Sequence, residues 1–110
     1  MKIKIYKDST YNIFFEKGDH VKIQSNEKYS DPTSKEGTFG QVVSVSGARL
    51  NAKVKFKDKE GETHEEFAWN LVPVDESGKK IPENKLFKLV PTTESFIALK
   101  YQEFKFKRNY

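Results

Sequence analysis

The stretch Gly18-Asp19-His20-Val21-Lys22-Ile23 opens the segment that decides the fold, since a turn there leads into a short alternating strand. Three later stretches continue the pattern: Gly37-Thr38-Phe39-Gly40-Gln41-Val42-Val43-Ser44-Val45, Val54-Lys55-Phe56 and Trp69-Asn70-Leu71-Val72-Pro73-Val74. Several short strands separated by turn signals favour a sandwich or a barrel. We therefore predict a mainly β protein with a small, closed, five-stranded barrel over residues 16–74.

The alternation of apolar and polar residues assigns the faces of the predicted strands. A strand over about 51–57 turns Val54 and Phe56 inward and its lysines outward. The turn Asp58-Lys59-Glu60-Gly61 makes a hairpin with residues 62–68, which places Phe67 inward. Gly37 and Gly40 fit a turn before the second strand, and Trp69-Asn70 fits a single tight helical turn.

The chain divides into residues 1–15, the barrel at 16–74, and an extension at 75–110. At 110 residues it is long enough for one domain. Apolar residues recur in both flanks, so we expect an N-terminal strand and a C-terminal strand or helix to pack on the barrel.

The extension begins with a polar linker and a predicted strand at 85–90. The residues after this strand support two alternative structures. In one, a threonine caps a helix over about 93–102, followed by a short strand. In the other, Phe104-Lys105-Phe106-Lys107 alternates as a strand that pairs with residues 1–6. We favour the helix followed by the strand.

Composition excludes several classes of site. The chain contains no cysteine, which excludes disulfides, thiolate nucleophiles and zinc–thiolate centres. No apolar run approaches the length of a membrane span, and the N-terminus does not resemble a signal peptide, so we expect a cytoplasmic protein without a membrane partner.

The net charge of +4 is unevenly distributed along the chain. The barrel segment holds nine basic and ten acidic residues, whereas the extension holds eight basic and five acidic residues. The basic character therefore lies in the flanks. Lysine outnumbers arginine eighteen to two, and lysine binds phosphate as a point charge.

The barrel segment resembles the SH3-like small barrels, especially those of the KOW and Tudor types. The matching pattern is Lys17-Gly18-Asp19-x-Val21-x-Ile23, then Gly37-x-x-Gly40-x-Val42-x-x-Val45, Val54-x-Phe56 and Leu71-x-Pro73-Val74. The stromal accessory subunit of photosystem I is similar in its opening strand and in the part corresponding to Glu66-Phe67-Ala68-Trp69-Asn70-Leu71-Val72. The resemblance implies a binding module, and residues 75–110 have no counterpart in these minimal barrels.

Two functions from different classes follow. The first is a non-enzymatic module that docks on a larger protein assembly through an aromatic platform of Tyr29, Phe39 and Trp69. The alternative structural interpretation is that Trp69 caps the barrel core and Phe39 packs beneath a turn. The acidic hairpin at 58–66 favours protein docking, because it would repel a phosphate backbone.

The second function is binding of nucleic acid in the manner of KOW-type proteins. Its candidate residues are basic or aromatic members of the C-terminal extension: Tyr101, Lys105, Phe106, Lys107 and Arg108. The alternative structural interpretation, which we favour for this group, is an amphipathic element docked on the barrel. On the hairpin, Lys53, Lys55 and Lys57 are expected to pair with acidic residues across the strands.

We predict neither a cofactor nor a metal site and no enzymatic activity. His20 and His64 are the only histidines, and their spacing does not match a metal site. His64 is expected to be exposed on a strand. Glu65 and Glu66 alternate across a strand, so they face opposite sides and cannot act on one substrate.

Overall fold

The computed structural model describes residues 1–6, 8–26, 31–47, 52–89 and 107–108. Within these residues the chain forms strands, one 3₁₀ turn and one α-helix. The elements are β1 (Lys2–Ile5), β2 (Thr10–Phe14), β3 (His20–Ile23), β4 (Phe39–Ser46), β5 (Lys53–Lys57), β6 (Thr63–Phe67), the 3₁₀ turn (Ala68–Asn70), β7 (Leu71–Pro73), α1 (Glu83–Leu89) and β8 (Lys107–Arg108).

The strands form two sheets, which confirms the prediction of a mainly β protein. The larger sheet has the order β6-β5-β4-β3-β7, so the prediction of five strands within residues 16–74 is also confirmed. Its first four strands follow one another as antiparallel neighbours, and β7 returns to pair with β3. The smaller sheet has the order β1-β2-β8.

The predicted closure of the barrel is wrong. Strands β6 and β7 lie at opposite ends of the larger sheet, and no strand pairing joins them in the described part of the chain. On the β6 side, the Thr33 hydroxyl donates to the carbonyl oxygen of Glu65 at 2.9 Å. A side chain from the preceding loop therefore satisfies a carbonyl that a closing strand would otherwise meet.

Both sheets and the helix contribute to one hydrophobic cluster. In β5, Val54 and Phe56 are fully buried whereas the three lysines are exposed, as predicted. The largest fully buried side chains come from both sheets and α1: Tyr11, Phe56, Ile3, Ile13, Ile23, Leu71, Leu86, Glu66, Val21, Val42 and Val54.

The predicted inward position of Phe67 is wrong, because its neighbour Glu66 occupies that face. Glu66 pairs with the buried Val54 in the β5–β6 register and is itself only 2% exposed. Directly opposed residues share a face of the sheet, so Phe67 points to the outer face with Lys53. Glu65 is exposed, which confirms that the two glutamates face opposite sides.

The predicted strand at 85–90 is also wrong, because α1 spans Glu83–Leu89. Leu86 and Phe87 are adjacent and both buried. In a strand, adjacent side chains would point to opposite faces, whereas a helix can turn both toward one core. Pro82 precedes the helix and accepts a hydrogen bond from Leu86 N–H at 2.9 Å, and Glu83 lies in the first turn.

The C-terminal strand does not form the predicted alternative pairing with residues 1–6. Strand β8 runs parallel to β2, with Lys107 opposite Thr10 and Arg108 opposite Tyr11, rather than pairing with β1. The helix predicted over 93–102 lies outside the described residues.

Candidate binding cleft between the two sheets

A cleft of about 470 Å³ lies where the smaller sheet and α1 face the β7 end of the larger sheet. This volume is within the usual range for ligand sites. Its lining is mostly polar or aromatic around a few apolar residues: Tyr11, Ile13, Gln24, Ser25, Asn26, Trp69, Val72, Pro73, Lys80, Ile81, Glu83, Leu86, Lys107 and Arg108. We refer to this site as the cleft.

Trp69 reaches the cleft from the 3₁₀ turn between β6 and β7, which confirms the predicted tight helical turn. The Leu71 N–H donates to the carbonyl oxygen of Ala68 and closes that turn. The indole is half-buried against the core and stacks on Phe67, with ring centroids 4.2 Å apart and planes 8° apart. Trp69 thus packs partly on the core and also lines the cleft.

Lys107 and Arg108 reach the cleft through the parallel pairing of β8 with β2. The Lys107 N–H donates to the carbonyl oxygen of Ser9 at 2.8 Å and anchors the strand. The Arg108 guanidinium donates to the carbonyl oxygen of Ala68 at 3.4 Å, and its Cζ lies 6.0 Å from the centroid of the Phe15 ring. Arg108 therefore spans from the smaller sheet to the 3₁₀ turn that carries Trp69.

Lys80 is a cleft residue that the sequence analysis missed. An isolated bridge pairs Lys80 with Val74, after a turn in which the Asp75 carboxylate accepts hydrogen bonds from Ser77 and Lys79. The Ser77 hydroxyl is the main cause of a pKa below the usual range for Asp75. The turn residues at 75–79 were visible in the sequence, but the bridge that brings Lys80 to the cleft was not.

Among the described residues that line the cleft, the charges are predominantly positive. Three cations, Lys80, Lys107 and Arg108, are accompanied by one carboxylate, that of Glu83. The buried Tyr11 hydroxyl donates to this carboxylate at 2.9 Å, and the Tyr11 ring makes an edge contact with Phe87 at 5.1 Å. The cleft therefore favours an anionic ligand.

The structure does not place the predicted aromatic platform in one site. Phe39 lines a separate cavity of about 270 Å³ with the hairpin turn, and Lys59 Nζ lies 4.9 Å from its ring centroid. Phe39 also packs on Gly78, where an added Cβ would lie 2.8 Å from the ring. Tyr29, Tyr101, Lys105 and Phe106 lie outside the described residues. Trp69 instead shares the cleft with two members of the predicted nucleic-acid set.

His64 is half-buried rather than exposed, because its ring is held on three sides. A hydrogen bond of 2.7 Å joins its Nε2 to Asp58 Oδ2, another of 3.2 Å joins its Nδ1 to Ser34 Oγ, and the ring stacks on Phe56. The hydrogen bond from His64 is the main cause that lowers the pKa of Asp58. Glu62 completes a group of three potential metal ligands whose ligand atoms lie within 4.8 Å of one another.

The predicted cross-strand ion pairs of the hairpin do not form. Lys55 lies directly opposite Glu65, yet no salt bridge joins Lys53, Lys55 or Lys57 to an acidic side chain among the described residues. All three lysines are exposed on the outer face of β5. We call this surface the lysine face.

No family model matches the chain, nor does any curated protein or solved structure. The resemblance to SH3-like barrels therefore stays a prediction. In the described part of the chain, no helix has both the length and the apolar character needed to cross a membrane.

Proposed function

We propose that the protein is a non-enzymatic binding module and that its cleft binds single-stranded nucleic acid. One observation carries the proposal: Trp69, Lys107 and Arg108 line the same cleft. From the sequence, Trp69 was predicted to belong to a protein-docking platform. Lys107 and Arg108 were predicted to bind phosphate in the C-terminal extension. Their meeting in one cleft combines an aromatic ring with two cations.

This combination fits the chemistry of a single strand. Lysine and arginine neutralise backbone phosphates, while an aromatic side chain offers a surface on which a base can stack. Gln24, Ser25 and Asn26 add polar groups along the wall formed by the end of β3. The volume of about 470 Å³ suits a short part of a single strand.

The acidic hairpin does not argue against this ligand. Asp58 and Glu60 line the separate cavity that contains Phe39, and neither residue lines the cleft. The repulsion that favoured protein docking therefore acts outside the cleft. The experiment must therefore distinguish binding of a single strand from docking of an acidic protein segment in the cleft.

The test uses the fluorescence of Trp69, which is the only tryptophan in the chain. We expect oligothymidylate to quench this fluorescence and the affinity to fall steeply with salt, because binding releases counterions from the phosphates. Lys80→Glu combined with Lys107→Glu should weaken binding and lower the salt slope by about two.

The matched control is Lys17→Glu combined with Lys59→Glu, which changes the net charge equally at two residues outside the cleft. This control should retain nearly all of the wild-type affinity. Equal losses in both double variants, or no binding of oligothymidylate, would contradict the proposal. Tighter binding of a polyglutamate peptide than of oligothymidylate would favour protein docking instead.

A further inference from the structure

We propose that the bound strand continues beyond the cleft onto the lysine face, where Lys53 and Lys55 bind successive backbone phosphates. This inference rests on the proposed function of the cleft and extends it to a second surface. It reverses the expectation that neighbouring glutamates neutralise the hairpin lysines.

A chain of contacts connects the cleft to the lysine face. Trp69 lines the cleft and stacks on Phe67 at 4.2 Å. On the outer face of the sheet, Lys53 Nζ lies 5.2 Å from the centroid of the Phe67 ring. A strand that leaves the cleft over the Trp69–Phe67 pair would therefore meet Lys53.

Lys53 and Lys55 are available for a ligand. Both are exposed, and within the described parts of the chain neither makes a salt bridge. On the β4 side they lie opposite Ser46 and Ser44, respectively, which are exposed and uncharged. Two ammonium groups beside two hydroxyl groups form a surface of hydrogen-bond donors suited to phosphate oxygens.

The spacing of the two lysines matches an extended strand. Residues two apart on one face of a β-strand are separated by about 6.8 Å, a distance comparable with that between successive phosphates of an extended single strand. Beyond them, Lys57 adjoins the turn that carries Asp58 and Glu60, so the path should end before that turn.

Glu65 is the acidic residue that opposes this path most directly. It lies opposite Lys55 and shares a small cavity with Lys53 and Phe67. Its negative charge should weaken phosphate binding at both lysines. A variant that lacks this charge should therefore bind more tightly. General damage to the fold would weaken binding and could not produce this result.

The experiment compares oligothymidylates of about three and about nine nucleotides. The first is shorter than the sites of about 4–16 nucleotides that single-strand-binding folds occupy, and the second lies within that range. For the wild-type chain we expect the longer oligonucleotide to bind more tightly and with a steeper salt slope. Lys53→Glu combined with Lys55→Glu should remove this gain and lower the slope for the longer one by about two. Affinity for the shorter one should stay unchanged.

Two further variants make the result specific. Lys53→Gln combined with Lys55→Gln should reproduce the loss in part, and Glu65→Gln should increase affinity for the longer oligonucleotide only. If neither oligonucleotide binds the wild-type chain, the proposed function itself fails. If both bind and the length-dependent gain survives in the Lys53/Lys55 double variant, the path over the lysine face is wrong while the cleft remains a binding site.

Discussion

The carboxylate of Glu66 accepts a hydrogen bond of 2.6 Å from the backbone N–H of Thr33, which is 33 positions earlier in the chain. The same oxygen lies 2.8 Å from the Thr33 hydroxyl, which shares its one proton between this carboxylate and the carbonyl oxygen of Glu65. The other oxygen accepts the backbone N–H of Phe67 at 3.1 Å and the side-chain amide of Asn70 at 3.0 Å. One buried carboxylate therefore joins the loop before β4 to the 3₁₀ turn that carries Trp69.

The first prediction follows from the fact that all four partners of Glu66 are donors. In Glu66→Gln, an amide N–H₂ group would replace one carboxylate oxygen, and this group would face hydrogen-bond donors. We expect a loss of about 1–3 kcal/mol in the free energy of unfolding, because buried donors lose their acceptor. Urea unfolding measures it, with the exposed neighbour change Glu65→Gln as control. Equal unfolding midpoints for the two variants would show that the buried network contributes nothing.

A second prediction concerns Gly40, which lies within β4. An added Cβ there would lie 2.0 Å from the carbonyl oxygen of Lys57, and a backbone atom cannot rotate away. We expect Gly40→Ala to destabilise the fold by about 3 kcal/mol.

Gly18→Ala is the matched control for Gly40→Ala. Gly18 has a φ of +97° but open space around its Cα, so backbone strain alone should cost about 1 kcal/mol. Thermal unfolding of the two variants measures both effects. A melting temperature for Gly40→Ala at or above that of Gly18→Ala would contradict the close approach of β4 and β5.

Local alternation was enough to predict the faces of β5, because buried Val54 and Phe56 alternate with charged residues. It failed in β6, where the sequence offers Phe67 as the obvious core residue. A carboxylate is stable in the core only when donors surround it. The donors to Glu66 include Thr33 and Asn70, and no local pattern shows that they converge there.

For the same reason, individual residues of the cleft could be predicted from the sequence, but their common site could not. Trp69 and Arg108 were recognised separately as an aromatic anchor and a phosphate ligand. They meet because β8 pairs parallel to β2, although the two strands are far apart in the sequence. Lys80 joins them through its bridge to Val74. Pairings of this kind depend on tertiary packing, which the spacing of residue types along the chain does not encode.

The third prediction concerns pH and the pair formed by Asp58 and His64. The hydrogen bond from His64, together with backbone N–H donors, lowers the folded-state pKa of Asp58. A carboxylate with a lowered pKa stabilises the fold above its unfolded pKa of about 3.9, and this contribution disappears as pH falls through the folded-state value. Wild-type protein should therefore lose stability below about pH 4 partly through this group.

Asp58→Asn tests this pH dependence, because the variant cannot titrate at position 58. Its stability deficit relative to the wild type should be present near neutral pH and should shrink as pH falls below about 4. Urea unfolding at a series of pH values gives both curves, with the exposed change Asp31→Asn as control. A deficit that stays constant down to the most acidic pH would exclude a titrating role for Asp58.

The last prediction concerns Glu83, whose carboxylate lines the cleft. Glu83→Gln keeps the oxygen that accepts the Tyr11 hydroxyl but removes a negative charge beside Lys80, Lys107 and Arg108. If the ligand is anionic, its affinity should rise several-fold, and the gain should diminish at high salt because screening weakens the repulsion that was removed. Glu76→Gln makes the same change of charge on an exposed turn outside the cleft and should leave affinity nearly constant. Fluorescence titration with oligothymidylate at two salt concentrations measures all three proteins. Weaker binding by Glu83→Gln than by Glu76→Gln would mean that the ligand of the cleft is not an anion.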